Sequence, residues 1–299
     1  MLFIANHPIY NHPLAEGHRF PMLKYDLLPK QLLHEGTADI ADFYSPEIID
    51  LDWVYAVHAP DYVNDLRQLT LDAKAIRSIG FPLSAALVER ELRIAQGTVA
   101  GCEHAWQNGI AFNIAGGTHH AFSDRGEAFC MLNDQAIAAQ YLLDQGKCQK
   151  ILIVDLDVHQ GNGTAEIFHN NPNVITFSMH GHGNYPFRKE ISDYDVALPD
   201  GTNDETYLTI LKGILPDLVH THRPDFVFYL AGVDILATDK LGKLGCTLEG
   251  CKARDAYVFS VCKSSGIPVQ VSMGGGYSPA IKTILEAHAN TYRVARALY

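Results

Sequence analysis

The sequence is short of positive charge and contains no long apolar run. Its 23 Lys and Arg residues are outnumbered by 34 Asp and Glu residues, which gives a formal net charge of −11. Nucleic acids and anionic membrane surfaces attract an excess of Lys and Arg, so we expect neither as a partner. No stretch approaches the roughly 18 apolar residues of a membrane-spanning helix. Residues 1–10 also lack the basic leader and apolar segment of a secretory signal, which predicts a cytoplasmic protein.

Paired cysteines are also missing. The six cysteines include no Cys-x-x-Cys pair and no Cys/His spacing of a zinc knuckle, which favours reduced thiols over a disulfide framework. An apolar content of 47% and a charged content of 19% exclude disorder, collagen and coiled coil. The sequence is rich in histidine, with 15 residues. Histidine commonly binds metals and transfers protons, so its placement in the chain matters more than its number.

Short apolar runs alternate with longer segments of helical periodicity along the chain. The short runs are rich in β-branched and aromatic residues, which predicts buried strands, and the longer segments predict helices. This alternation predicts one domain over residues 1–299, a three-layer α/β/α arrangement around a central, mostly parallel sheet. The predicted strands are 53–57, 110–114, 151–154, 174–177, 226–230 and 268–271, and the predicted helices are 84–107, 133–143, 205–220 and 247–263.

Four of the predicted strands are followed by polar clusters. In a parallel α/β sheet the ligand site lies beyond the carboxyl ends of the strands, because the loops converge there. One cluster could arise by chance, but four in the same topological position indicate one site. The clusters are Gly116-Gly117-Thr118-His119-His120, Asp155-Leu156-Asp157-Val158-His159, Ala231-Gly232-Val233-Asp234 and Ser272-Met273-Gly274-Gly275-Gly276-Tyr277.

The second cluster has the composition of a metal site. Asp155, Asp157 and His159 alternate with apolar residues, so on extended backbone their side chains share one face. A catalytic zinc site takes about three protein ligands and keeps a position open for water. Asp157, His159 and Asp234 meet that number, since Asp234 adds a carboxylate from another strand end. The alternative is a polar strand end whose Asp side chains cap the next helix.

The adjacent His119 and His120 suggest proton transfer beside a metal. A bound water whose pKa is lowered to about 7 still needs a base to take its proton. Each imidazole needs an acceptor on its far nitrogen, and Asp155 and Asn162 are the candidates. Tyr277, which follows three glycines, can donate a hydrogen bond to the oxygen that becomes negative during attack on an amide. The alternative for Tyr277 is a plain glycine-rich loop.

Together these motifs resemble those of the histone deacetylase superfamily, which includes bacterial deacetylase-like amidohydrolases and acetoin-utilisation proteins. The resemblance extends from His58 to Tyr277 and is greatest to the class IV branch and its bacterial relatives. It implies an arginase/deacetylase α/β fold and zinc-dependent hydrolysis of an acylated amine. The motifs that carry it are Ile79-Gly80-Phe81-Pro82, Gly97-Thr98-Val99-Ala100-Gly101, 116–120, Phe129-Cys130-Met131-Leu132-Asn133-Asp134, 155–163, Asp239-Lys240-Leu241-Gly242 and 274–277.

The resemblance also implies roles for individual residues. The zinc ligands would be Asp157, His159 and Asp234, and the catalytic residues would be His119, His120, Tyr277, Asp155 and Asn162. A monovalent cation, usually potassium, would be bound by Asp155, by the main-chain oxygens of Asp157, His159 and Met179, and by the hydroxyl of Ser178. The tunnel for an acyl-lysine would be lined by Phe129, Tyr185 and Gly275.

Three positions need comment within that resemblance. Asn162 stands where class I enzymes carry Asp, although class II and IV relatives have Asn, and an amide makes the second histidine less readily protonated. Thr118 replaces the Trp common in this motif, which alters the inner acyl pocket. Arg19 is a candidate for lining the acetate exit.

The other histidines and the tryptophans have simpler interpretations. We interpret His180 and His182 as solvated loop residues near the rim of the cleft. Trp53 and Trp106 are expected in the core.

The sequence favours a zinc-dependent deacylase that removes acetyl or longer fatty acyl groups from lysine in proteins, or from a related acylated amine. An acetylpolyamine or small-metabolite amidohydrolase and a non-catalytic acyl-lysine binder are the alternatives. A two-metal ureohydrolase of the arginase type would lack ligands, because Leu236, Gly161 and Asn162 occupy positions where a second metal needs carboxylates. Asp/Asp/His sites also hold Fe(II) or Co(II), so the metal stays open, as does the oligomeric state.

Overall fold

A parallel sheet lies at the centre of the computed structural model, which describes residues 2–299. Its strands are β1 (Ile4–Ala5), β2 (Phe43–Tyr44), β3 (Ile110–Asn113), β4 (Ile151–Asp155), β5 (Val174–Gly181), β6 (Tyr194–Leu198), β7 (Phe226–Leu230) and β8 (Val269–Ser272). Within the described range these eight strands lie in the order β2-β1-β3-β8-β7-β4-β5-β6, and every neighbouring pair is parallel. The predicted parallel sheet is confirmed.

Helices flank this sheet. They are α1 (Lys24–His34), α2 (Leu51–Tyr55), α3 (Pro60–Gln68), α4 (Ala73–Ile79), α5 (Ala85–Asn108), α6 (Asp134–Asp144), α7 (Asn162–Ile167), α8 (Asp204–His222), α9 (Leu248–Ser264) and α10 (Ile281–Leu298). Helices α5 and α6 pack together, and α5 also contacts β1, β3 and β8. A second group is formed by α1, α8, α9 and α10. The three-layer α/β/α architecture predicted from the alternating pattern is therefore present.

The long helix α5 shows how the sequence sets an element. The side chain of Ser84 accepts a hydrogen bond from the amide of Leu87 and so caps the first turn. The helix ends at Gly109, whose φ of 93° lies in the region that favours glycine. The observed helix, Ala85–Asn108, differs from the predicted helix 84–107 by one residue at each end.

Two expectations about local structure are wrong. Residues 53–57 were predicted as a strand, but Trp53 to Tyr55 belong to the short helix α2, which Asp50 caps by accepting from the amide of Asp52. One turn of helix buries Val54 and brings the centroids of the Trp53 and Tyr141 rings to 4.7 Å from each other. An apolar run this short is compatible with either a strand or a helix. Trp106, expected in the core, is 41% exposed.

The sheet order explains why one site forms. Strands β3, β8, β7 and β4 are consecutive in the sheet, and these are the four strands that the polar clusters follow. Because all four run parallel, their carboxyl ends lie side by side at one edge. Residues 116–120, 155–159, 231–234 and 272–277 are thereby brought together.

Across residues 2–299, no helix combines the length and apolar character needed to span a membrane.

Candidate metal-dependent active site

Three side chains form a buried group of metal-ligand type. Ligand atoms of Asp157, His159 and Asp234 all lie within 4.8 Å of one another. Asp157 and His159 follow β4, whereas Asp234 follows the adjacent strand β7. All three residues are buried. The group is the one proposed from the sequence as the zinc ligands.

The backbone reaches this arrangement differently from the sequence expectation. Strand β4 ends at Asp155, so Asp157 and His159 lie in a turn rather than on one face of an extended strand. A carboxylate oxygen of Asp155 accepts from the amide of Asp157 at 3.1 Å, and one of Asp157 accepts from the amide of His159 at 3.0 Å. These local bonds are typical of Asp in turns and aim Asp157 and His159 at Asp234.

A cation fits this group chemically. Oδ1 of Asp234 accepts from the amide of Val158 at 2.9 Å, whereas the buried Oδ2 of Asp234 accepts no hydrogen bond and has Nδ1 of His159 3.2 Å away. Oδ2 of Asp157 accepts from the amide of Gly275 at 2.8 Å. A buried carboxylate oxygen with no partner is costly unless a metal ion satisfies it. Two carboxylates and one imidazole are a donor set that zinc accepts, and Fe(II) and Co(II) accept it too.

The charges of the group also favour a cation. Burial, together with the charge of Asp157, raises the pKa of Asp234 to about 7. Burial lowers the pKa of His159, but its hydrogen bond to Asp157 and the negative charges of Asp157 and Asp234 outweigh that effect and raise the pKa to about 10. The metal-free group therefore holds protons that a bound divalent cation would replace.

His119 and His120 lie beside the group with different hydrogen-bond partners. Nδ1 of His119 lies 2.7 Å from Oδ2 of Asp155, and Nδ1 of His120 donates to Oδ1 of Asn162 at 2.6 Å. The two imidazole rings are 4.1 Å apart, and both residues are buried. Against the lowering effect of burial, the charge of Asp155 raises the pKa of His119. Burial and the neighbouring histidines lower the pKa of His120 well below its usual value.

Tyr277 is positioned by a glycine loop that touches the metal group. The main-chain amide of Tyr277 donates to Oδ2 of Asp239 at 2.6 Å, and its ring centroid lies 6.4 Å from that of His159. A Cβ atom on Gly275 would lie 2.0 Å from Oδ2 of Asp234, so this position has room only for glycine. Burial and the carboxylates of Asp234 and Asp157 raise the pKa of the Tyr277 hydroxyl well above its usual value, which keeps it a proton donor.

Two cavities meet at this site. The outer cavity has a volume of about 450 Å³, and Phe129 and Tyr185 line it as predicted tunnel residues. The Tyr185 ring stands edge-on to His120 at 4.9 Å, and its hydroxyl donates to Glu127. The inner cavity is smaller, at about 40 Å³, and lies beyond the histidine pair. Both cavities reach His120, His159, Phe129 and Tyr277.

Arg19, the candidate for the acetate exit, does not line the inner cavity. Arg19 lines the outer cavity, where its guanidinium lies 5.0 Å from the centroid of the Phe129 ring. The arginine on the inner cavity is Arg90, which is buried and paired with Glu91. Thr118 does line the inner cavity, and its hydroxyl lies 2.8 Å from Oδ1 of Asp134.

The residues proposed for a monovalent cation are neighbours. Asp155 on β4 and Ser178 on β5 are paired across the sheet, and Met179 follows Ser178 in β5. His180 is not a solvated loop residue, because it is buried in β5 with its Nδ1 3.0 Å from the Ser178 hydroxyl. His182, two residues further on, is exposed as expected.

Like Arg90, two further buried cations near the site were not predicted from the sequence. Nζ of Lys24 donates to the main-chain oxygen of Gly274 at 3.0 Å, and burial lowers the pKa of Lys24 to about 8. Arg254 donates to the main-chain oxygens of Leu156 and Gly232, which lie in the turns leading to Asp157 and Asp234. The adjacent Arg254 and Asp255 in the predicted helix 247–263 were the available signal, while α1, which carries Lys24, was not predicted.

Comparison with known proteins gives a consistent result. The sequence pattern of the histone deacetylase domain matches residues 18–292. The chain belongs to the histone deacetylase family. Within the family it is 47% identical to an uncharacterized protein of Picosynechococcus over 99% of both chains. It is 28% identical to histone deacetylase 2 of Arabidopsis thaliana, covering 93% of this chain and 74% of that protein.

Other histone deacetylase relatives extend the comparison. Human histone deacetylase 1 is 29% identical over 96% of this chain, which spans 62% of the human protein's length. An HDAC homologue solved in complex with SAHA has a TM-score of 0.87 and 24% identity over 100% of this chain and 84% of that chain. An HDAC homologue from Aquifex aeolicus has a TM-score of 0.85 and 24% identity over 97% and 82%. At these identities the structural likeness concerns the fold, and it confirms the arginase/deacetylase fold implied by the sequence.

Proposed function

We propose that this histone deacetylase-family protein is a zinc-dependent hydrolase that removes acetyl or longer acyl groups from the side-chain amine of lysine or from a related acylated amine. One observation carries the proposal: the buried Asp157, His159 and Asp234 group lies beside two histidines with unlike partners. Family membership and the names of the relatives support deacetylase chemistry.

Asp157, His159 and Asp234 would hold the zinc ion. When bound, zinc would supply a Lewis acid that polarises the acyl carbonyl and makes water more acidic. The buried oxygen of Asp234 that lacks a hydrogen-bond partner supports this assignment.

The hydrogen-bond partner of each histidine sets its protonation state and therefore its role in proton transfer. A carboxylate stabilises an imidazolium and a neutral amide does not, so His119, beside Asp155, favours the charged form and His120, beside Asn162, the neutral form. Neutral His120 is the base that takes the proton of the attacking water at Nε2, since its Nδ1 is already donating. His120 can then return that proton to the departing amine, while His119 provides positive charge.

Tyr277 and the tunnel residues complete the proposal. The Tyr277 hydroxyl donates to the carbonyl oxygen as that oxygen becomes negative. Phe129 and Tyr185 line the outer cavity on the way to His120 and would exclude water from the alkyl part of the substrate. Gly275 keeps the loop close to the metal carboxylates.

A structural potassium ion is part of the proposal. Asp155, Ser178 and the main-chain oxygens of Asp157, His159 and Met179 would bind it, which the pairing of Asp155 with Ser178 supports. We also propose that residues 1–299 act as one catalytic domain, because the four clusters of the site come from one sheet.

The two-metal alternative receives no support. Leu236 is buried and apolar, and Asn162 is engaged by His120. Within residues 2–299, the group of Asp157, His159 and Asp234 is the single cluster with metal-ligand spacing.

The direct test is hydrolysis of acyl-lysine peptides by zinc-loaded protein, with acyl groups from acetyl to long fatty chains. We expect turnover with at least one acyl length and its loss in Asp234→Asn, which removes a metal carboxylate. Asp217→Asn, at an exposed position on α8, is the matched control and should keep wild-type activity. Absence of turnover with every acyl length would contradict the proposal.

A further inference from the structure

The mouth of the outer cavity is basic, although the chain as a whole is acidic. Two charged side chains line this cavity at its exposed end, Arg19 and Lys243, and both are cations. Among the described residues that line it, there is no Asp or Glu. This local excess contrasts with the net charge of −11 of the chain.

Arg19 is available to bind an anion. Its guanidinium is held over the Phe129 ring at 5.0 Å, and within residues 2–299 no carboxylate lies within 4.0 Å of it. Contact with an aromatic face leaves the edge of the guanidinium free to donate two parallel hydrogen bonds to a carboxylate.

Lys243 contributes the second charge. It lies in the loop between β7 and α9, and its Nζ is 3.8 Å from Oδ2 of Asp200. Both side chains are about half exposed, so this pairing is weak and solvent-screened.

The nearby acidic side chains are already engaged. Glu127 accepts from the Tyr185 hydroxyl and from Nε of Arg125. Asp239 accepts main-chain hydrogen bonds from Tyr277, Leu241 and Gly242. Neither carboxylate lines the outer cavity, so Arg19 and Lys243 are the charged side chains, apart from the histidines of the site, that an entering substrate meets there.

From this arrangement we propose that the natural substrate is an acylated lysine whose neighbouring residues carry carboxylates, with Arg19 and Lys243 as specificity-determining residues. The inference rests on the proposed deacylase function and narrows its substrate. A carboxylate beside the acyl-lysine gains attraction at the mouth, whereas the free ammonium group of an acetylpolyamine is repelled.

Three acetyl-lysine peptides test this, identical except for Asp, Ala or Lys at both flanking positions. If another acyl group gives better turnover, it replaces acetyl in all three. At low ionic strength we expect kcat/KM to fall from Asp to Ala to Lys, with about fivefold to tenfold between the extremes. The difference should lie in KM, because the cations stand at the mouth and not at the reacting atoms. It should shrink at high salt, and N-acetylputrescine should rank with the Lys peptide.

Charge-reversal variants test whether Arg19 and Lys243 cause the preference for acidic flanking residues. Arg19→Glu and Lys243→Glu should each reduce the preference for the Asp peptide, and the double variant should reverse it. Lys212→Glu, at an exposed position on α8, changes the net charge by the same amount and should leave the preference intact.

Failure of this inference differs from failure of the proposed function. Equal kcat/KM for the three peptides, or preference for the Lys peptide or N-acetylputrescine, would overturn the substrate assignment alone. If no peptide is hydrolysed, the proposed function fails. In that case the dissociation constants of the same three peptides, measured by fluorescence anisotropy, test the charge preference. Binding should weaken from the Asp peptide to the Ala peptide to the Lys peptide.

Discussion

Arg254 donates a hydrogen bond to the main-chain oxygen of Gly232 at 2.6 Å, behind the metal group. The same guanidinium group donates to the main-chain oxygen of Leu156 at 3.2 Å. Gly232 lies two residues before Asp234, and Leu156 lies directly before Asp157. One fully buried cation therefore joins the two turns that present the metal-binding carboxylates. Asp255 balances its charge and is itself held by the hydroxyls of Tyr229 and Thr291.

We expect Arg254→Gln to weaken zinc binding as well as the fold. Loss of a group that orients metal ligands typically costs about tenfold to a hundredfold in metal affinity. The change also leaves Asp255 as a buried carboxylate without its partner, which costs about 3–5 kcal/mol in the free energy of unfolding. Chelator competition measures the zinc affinity, and denaturant unfolding measures the stability. Arg67→Gln, at an exposed position on α3, should change neither; wild-type zinc affinity in a folded Arg254→Gln protein would show that the turns are held by other contacts.

Replacing the amide beside His120 should shift the pH profile. In Asn162→Asp a carboxylate faces Nδ1 of His120 and raises the pKa of its imidazole, by about one unit or more. A base works only when deprotonated, so the acid limb of the kcat/KM profile should move to higher pH. Asp155→Asn is the matched change at His119 and should lower the pKa of that imidazole instead. An unmoved acid limb in Asn162→Asp would argue against His120 as the base.

Tyr277→Phe should separate chemistry from binding. Loss of one hydrogen-bond donor to a developing oxyanion lowers kcat by about 10²–10³-fold. The ring stays to contact Phe20 and Phe129, so KM, zinc content and melting temperature should change little. A pure binding protein would instead keep its affinity and show no turnover in either form.

Removing the metal should make stability depend on pH. The pKa of Asp234 in the metal-free protein is raised from its ordinary value to about 7, so the folded state holds a proton that the unfolded state releases above about pH 4. The stability of the metal-free protein should therefore fall as pH rises through this range. Zinc replaces that proton, so melting curves should show a larger stabilisation by zinc at pH 8 than at pH 5. Asp234→Asn should lose the part of this dependence that lies below about pH 7, whereas His159, whose pKa is also raised, contributes at higher pH. An equal zinc effect at both pH values would contradict the assignment.

The metal-binding part of the site was predictable because ligand sites in parallel α/β sheets lie beyond the carboxyl ends of the strands. Asp157 and Asp234 are far apart in the chain, but both follow apolar runs, and parallel neighbours place their carboxyl ends together. Side chains that reach the site from elsewhere carry no such signal. Arg19 precedes α1 and Lys24 begins it, and no element was predicted there although Tyr25, Leu28 and Leu32 are buried at helical spacing. Which cavity Arg19 faces depends on packing that no local pattern encodes. His180 was misjudged because β5 extends beyond its apolar run into polar residues.

The distribution of the site over β3, β4, β7 and β8 bears on how the chain acquires activity during folding. His119 follows β3, whereas Tyr277 follows β8, and strand β8 lies between β3 and β7 in the sheet. Strands that pair across a long sequence separation, such as β3 and β8, associate slowly because the entropic cost of closing the intervening loop must be overcome first. A nascent chain that ends before β8 would hold the metal carboxylates without Tyr277 or the glycine loop. Recovery of activity after dilution from denaturant therefore reports completion of the sheet, and a fragment cut between β7 and β8 should be inert unless the two pieces reassociate.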